Sequence, residues 1–207
     1  MRLANDKLKS DILASAKEEF LAHGYLGAQL REIAAKAGVT TGAVYKYYRD
    51  KEALFDELVQ EPADNLLNLY KKVQADFAVQ NLNDQIKNLP EVSEAGQLWI
   101  INYMYDNFDT FTLIARCADG TKYAHYMDEF IRIEADASRR LIEQMQREGL
   151  QVKTLDDDLI HIVSSMLFYG MLEPLRHGMP REKATDYLMS LHSFYSAGWF
   201  RLLGIKR

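Results

Sequence analysis

Three residues in a twenty-residue window, 30–49, constrain this 207-residue chain more than any other feature: Ala34, Gly38 and Val44, at relative positions 5, 9 and 15. Two short helices that cross closely need a small side chain at the crossing, because a larger one holds them apart, and Ala34 supplies it. The turn between such helices commonly needs positive φ, where a Cβ clashes, and Gly38 stands there. Val44 is the apolar anchor that seats the second helix on the first, with Ile33, Ala37 and Val39 filling the apolar positions between. The spacing predicts a helix-turn-helix. Taken alone, it also fits two ordinary helices joined by a glycine turn.

The flanking sequence keeps a helical period. Ile12, Leu13, Ala16 and Phe20 place one stripe on a helix that stops at His23-Gly24. Thr40 is the expected N-cap of the third helix and Asp50 that of a fourth, whose core side is Ala53, Leu54, Phe55, Leu58 and Val59. Pro62 lacks a backbone donor and clashes with the preceding turn, so a kink or break is expected over residues 60–63. Residues 81–93, Asn-rich and containing Pro90, read as a loop. Helical pattern resumes at Glu94 with many aromatics. A long helix is expected from about Tyr123 to Arg147, another from about Asp156 toward His177, with Pro174 an early stop or kink, and a last one from Pro180 to about Leu203. The expectation is an all-α chain of about nine helices without strands: a three-helix head, residues 1–51, and a helical body, residues 52–207. Eleven Gly and four Pro are too few for a turn-rich all-β chain.

Net charge is −5 but unevenly spread. Residues 1–51 carry nine Lys and Arg against six Asp and Glu, whereas residues 52–207 carry sixteen against twenty-four. A basic head on an acidic body points to a polyanion met by the head alone. The single cysteine, Cys117, rules out an intrachain disulfide and suits a reducing compartment. No apolar leader opens the chain, and the longest uncharged stretches, 159–172 and 187–200, fall short of the ~18 apolar residues a spanning helix needs. A cytoplasmic, soluble protein is expected. Phosphate loops, G-x-S-x-G, H-E-x-x-H and cysteine pairs are absent, so neither an enzyme nor a metal or other cofactor is expected.

From Ile12 to Phe55 the residues resemble the DNA-binding domain of the TetR family of regulators. The resemblance rests on I-L-x-x-A-x-x-x-F at 12–20, Gly24-Tyr25, Leu30-Arg31-Glu32-Ile33-Ala34, Ala37-Gly38-Val39-Thr40-Thr41-Gly42, Tyr45-Lys46-Tyr47-Tyr48 and Lys51-Glu52-x-Leu54-Phe55, in the family's order and spacing. It implies a transcriptional regulator, a repressor that binds a palindromic operator as a homodimer and is released by a small-molecule effector. An activator or architectural DNA-binding protein would need the same head. The second helix of such a motif enters the major groove by its N-terminal residues. Candidate contacts are Gln29, Arg31, Thr40, Thr41, Gly42, Ala43, Tyr45, Lys46 and Lys51, through hydroxyls, cations and close backbone approach. Tyr47 and Tyr48 are assigned to the core. Relatives often carry Thr where Ala28-Gln29 stand, Lys at Thr41 and Thr at Ala43, so this helix offers few bidentate base contacts, and readout leans on Gln29, Arg31, Thr40 and Thr41 or on DNA shape.

Two late helices are apolar nearly all round, which requires burial on two sides. A second copy of the chain would cover one side, through Ile160, Val163, Leu167, Met171, Leu191, Phe194, Tyr195 and Trp199. The family resemblance implies the same and adds an effector pocket among the central helices. Its candidates are Trp99, Tyr103, Phe108, Phe111, Tyr126, Phe130 and Glu134; aromatic walls with a carboxylate suit a cationic or amphipathic aromatic molecule.

Overall fold

The computed structural model describes the backbone of residues 2–205 and the side chains of residues 5–205. Among these residues there are nine α-helices and no strand: α1 (Arg2–Gly27), α2 (Leu30–Lys36), α3 (Thr41–Val44), α4 (Lys51–Ala78), α5 (Leu82–Asp106), α6 (Phe108–Cys117), α7 (Asp128–Arg147), α8 (Asp157–Arg176) and α9 (Arg181–Leu202). No helix is long and apolar enough to cross a membrane. The sequence leads one to expect a head and a body divided at residue 51. The compact units are cut differently: Met1–Asn65 with Asn107–Tyr126, and Leu66–Asp106 with Met127–Arg207.

In the first unit, Ile12, Ala16 and Phe20 of α1 are fully buried together with Ile33, Leu54, Phe55 and Phe111. The Phe20 and Phe55 rings meet edge-to-face at 5.2 Å, and Tyr25 meets Phe55 in the same way at 5.6 Å. The break expected at Gly24 is present, since this residue leaves helical geometry (φ 68, ψ 169) inside α1.

Pro62 does not break its helix: α4 runs without interruption from Lys51 to Ala78. The proline deprives the Leu58 carbonyl, four residues back, of its usual N–H partner. Thr110 of α6 supplies the missing donor, its hydroxyl reaching Leu58 O at 3.0 Å. The helix therefore loses a backbone bond without leaving a carbonyl orphaned.

The second unit is built from the rest of α4 with α5, α7, α8 and α9. The loop expected at 81–93 is instead the start of α5. Asn81 caps it, its side-chain oxygen accepting the Asp84 N–H at 3.0 Å. Leu82 and Gln85 are buried on the core side, and that burial outweighs the weak propensity of Asn and Pro. Conversely, α7 starts at Asp128, later than expected, because Thr121 ties residues 118–123 into turns through bonds to Ala118 O (2.7 Å) and from Tyr123 N–H (3.1 Å). Pro174 sits inside α8 and does not end it. Where α8 meets α9, a Cβ added to Gly170 would lie 3.1 Å from Leu191 Cδ2, so the crossing has little room for a larger residue.

The Pro62–Thr110 relation is testable by a double-mutant cycle. Thr110→Val should lower stability in urea by about 1 kcal/mol by orphaning the Leu58 carbonyl. In a Pro62→Ala background the restored N–H takes that carbonyl, and the same substitution should cost measurably less. Equal costs in both backgrounds would contradict the assigned role.

Candidate nucleic-acid interface and the cavity of the second unit

The turn between α2 and α3 closes through Val39 N–H to Ala34 O (2.9 Å) and Gly38 N–H to Ala35 O (3.1 Å). Gly38 has φ 68, as that geometry demands. Ile33, Ala34 and Val44 are each at most 2% exposed, with Tyr48 buried beside them. Thr40 caps α3, its hydroxyl oxygen accepting the Ala43 N–H at 3.3 Å. With Val44 pointing inward, Gln29, Arg31, Thr40, Gly42, Tyr45 and Lys46 are exposed, and Thr41 and Ala43 are half-buried. Arg31 already holds Glu32 at 3.1 Å, while Lys46 makes no ion pair among the described residues. Tyr47 is half-buried and donates its hydroxyl to Asn5 Oδ1.

Lys51 departs from its expected role. Its ammonium turns inward and donates to the carbonyls of Tyr25, Leu26 (3.4 Å) and Ala28 (3.1 Å), over the Tyr25 ring at 4.5 Å. It fastens the frayed end of α1 where carbonyls lack helical partners. Partial burial lowers its pKa.

Glu19, which sequence reasoning passed over, is only 3% exposed. Its carboxylate accepts from Lys36 Nζ at 3.0 Å and from the Gln29 N–H at 3.4 Å, so it fixes both ends of α2. Burial alone would raise its pKa, but the hydrogen bonds from Lys36 and Gln29 and the Lys36 charge outweigh that and lower it from 4.5. A buried acid in an otherwise apolar stripe, with a lysine seventeen residues on, was the available signal.

The second unit contains a cavity of about 360 Å³ walled by α4, α5, α7, α8 and α9. Leu69, Val73, Leu141, Val163 and Leu167 make its wall mostly apolar. Glu134 is the one acid of the wall among the described residues: Oε2 accepts from the Tyr70 hydroxyl at 2.5 Å and from Gln74 Nε2 at 2.9 Å. Burial raises the Glu134 pKa against the downward pull of those two bonds.

Of the expected pocket residues only Trp99 and Glu134 line this cavity. Phe108, Phe111 and Tyr126 belong to the first unit instead, Phe111 as a fully buried core residue. Phe130, 1% exposed, packs its ring on Tyr70 (5.2 Å) and Phe168 (5.7 Å) behind the wall. Tyr103 stacks on Trp99 at 5.2 Å without reaching the cavity. An aromatic count does not separate core rings from wall rings.

The expected interface residues are also redistributed. Ile160 and Met171 are buried within the unit, and Met171 is also counted in the cavity wall with Val163, Leu167, Tyr195 and Trp199. Leu191 packs on Gly170. Phe194 alone is strongly exposed, at 68%. The exposed apolar side chains of these helices are a different set, namely Ile162, Met166 and Tyr169 on α8 and Tyr187 and Phe194 on α9. A helix that is apolar all round carries no phase from which its outward stripe can be read.

Residues 12–58 match the family model for bacterial regulatory proteins of the tetR family. The chain is 38% identical over 177 residues to the HTH-type transcriptional repressor AcnR of Corynebacterium diphtheriae, covering 82% of each chain. A tetR-family bacterial regulatory protein from Rhodococcus RHA1 superposes with a TM-score of 0.57 at 23% identity, covering 97% of this chain and 99% of that one. The transcriptional regulator FadR of Bacillus subtilis, in complex with stearoyl-CoA, superposes at 0.52 with 14% identity over 89% and 97%. The chain belongs to the TetR family of DNA-binding transcriptional regulators.

Two outcomes check the head. Lys51→Met should cost about 1.5–3 kcal/mol of stability, the range for hydrogen bonds to charged groups, whereas Lys46→Met should stay within about 0.5 kcal/mol. Because the Glu19 pKa is lowered in the folded state, its stabilisation is present above pH 4.5 and is lost as pH falls through the folded value. Urea titrations from pH 7 to pH 3 should therefore show a shallower acid loss in Glu19→Gln; an unchanged slope would remove the anchor assigned to it.

Proposed function

We propose that this chain represses transcription by holding a palindromic operator as a homodimer, and releases it when a small molecule fills the cavity of the second unit. The observation that carries the reading is the outward face of the helix-turn-helix. Thr40, Tyr45 and Lys46 stand exposed around the inward anchor Val44, the arrangement by which a recognition helix meets a major groove. Thr41, Gly42 and Ala43 complete that face, with Gln29 and Arg31 at its flank. The AcnR relative, named a repressor, supports the sign of regulation, and the FadR neighbour, solved with stearoyl-CoA, supports a ligand in the body.

The exposed apolar stripe of α8 and α9 is the surface by which two copies would join. Ile162, Met166 and Tyr169 recur at i, i+4 and i+7, and Tyr187 and Phe194 at i and i+7. A two-fold dimer then presents two heads to half-sites one helical turn, or a multiple of one, apart. Cytoplasmic action follows from the DNA target.

Selection of bound fragments from random DNA should return a palindrome, and deleting the gene should raise expression from promoters carrying it. A fall in expression would make the protein an activator. Lys46→Ala should weaken binding to every sequence and reduce the salt slope by about 0.9, one phosphate contact on B-DNA, while Lys51→Ala leaves the slope unchanged. Met166→Glu should yield monomers by sedimentation and lose operator affinity; a persistent dimer would refute the α8 stripe as the interface.

A further inference from the structure

Resting on the reading of the cavity as the effector site, we propose that its ligand is a lipophilic cation: a protonated amine on an apolar body, its N–H donated to Glu134 Oε1. The Glu134 carboxylate is built into the wall. Both donors, Tyr70 and Gln74, engage the same oxygen, Oε2. Gln74 Nε2 also donates to the Tyr70 hydroxyl at 2.9 Å, which locks the pair that aims the carboxylate. Among the described residues Oε1 has no hydrogen-bond partner and Glu134 makes no ion pair.

Neutral donors orient a carboxylate without cancelling its charge. A half-buried carboxylate without a counter-ion is disfavoured, and burial raises the Glu134 pKa. An ammonium guest supplies the missing counter-charge through a charge-assisted hydrogen bond to the carboxylate. The apolar wall takes the body of the ligand, and the Trp99, Trp199 and Tyr195 rings offer faces that attract a cation.

The other charged or titratable groups on the wall are Arg140 and Arg147 of α7, Tyr70 of α4, and His192 and Tyr195 of α9. The two arginines would attract an anion instead. Both are exposed to water, and Arg140 lies six residues along α7 from Glu134, a rise of about 9 Å, so solvent screens it from the buried carboxylate. The half-buried, oriented acid and not the exposed arginines sets the sign of the ligand.

Three probes with one tail and different heads test this on the full chain: dodecylamine, dodecanol and dodecanoate. Trp99 and Trp199, the two tryptophans of the chain, both line the cavity and report binding by their fluorescence. The amine should bind about tenfold or more tighter than the alcohol. Glu134→Gln should erase that preference. Failure of the amine to bind, an alcohol or acid that binds as tightly, or a preference that survives Glu134→Gln would each overturn the proposal. The wild-type ranking stands without the variant. Operator affinity measured in parallel separates the two readings: an amine that binds through Glu134 without weakening DNA binding sinks the effector reading and upholds the ligand class.

Discussion

A four-residue helix cannot hold its own shape in water, where even isolated helices of ~12–15 residues are marginal. α3 spans only Thr41–Val44, so its form is borrowed from packing. Val44 and Tyr48 bury against Ile33 and Ala34, Gly38 sets the turn, and Thr40 satisfies the first free amide. That seat also fixes the phase of everything beside it. With residue 44 inward, 45 and 46 face out, and the head has no second way to present them. A larger side chain at Ala34 would lift α3 away and displace the whole outward face together.

The same economy governs charge. The excess of cations in residues 1–51 suggests a broadly basic surface, yet most of them serve the fold. Lys9 holds Glu57 at 2.6 Å, Lys17 holds Asp109 at 2.5 Å, Lys36 holds Glu19 and Arg49 holds Asp50, while Lys51 is spent on backbone carbonyls. Apart from the pair on buried Glu19, exposed pairs of this kind contribute little to stability, but each lowers the charge its surface presents to a polyanion. Lys46 is left exposed beside Tyr45 without an ion pair among the described residues, so on the proposed reading it is the head's most direct electrostatic handle on a phosphate.

The head was far more legible in the sequence than the body, for physical reasons. Its helices are short, and each is punctuated by a residue with one job: Gly24, Gly38, Thr40 and Asp50. Its apolar residues fall on single stripes. In the body, α8 and α9 are apolar on most faces, so period reveals a helix but not which side meets solvent; Ile160 and Ile162 look alike in sequence and differ completely in exposure. Prolines mislead for a related reason. Pro62 and Pro90 break a helix only if the groups they strand find no other partner or are not outweighed by packing, and neither Thr110 nor Leu82 is a local signal for that rescue. Glu134 was legible as a carboxylate among aromatics, but its neighbours Tyr70 and Gln74 lie some sixty residues earlier and meet it only through the fold.

The rescue of Leu58 bears on regulation. α4 places its first half in one unit and carries Tyr70 and Gln74, the donors that orient Glu134, on its second half. A broken helix at Pro62 would absorb a small movement of those donors within a few free dihedrals. α4 contributes residues to both units, and on the proposed reading a coupling of ~1–3 kcal/mol would suffice for release. On that reading the Thr110 hydrogen bond to Leu58 O bears on transmission as well as on stability. If α4 conveys the effector's signal, removing that hydroxyl should loosen the link between ligand and operator even where each site alone binds normally, which separates a transmitting helix from one that merely connects two units.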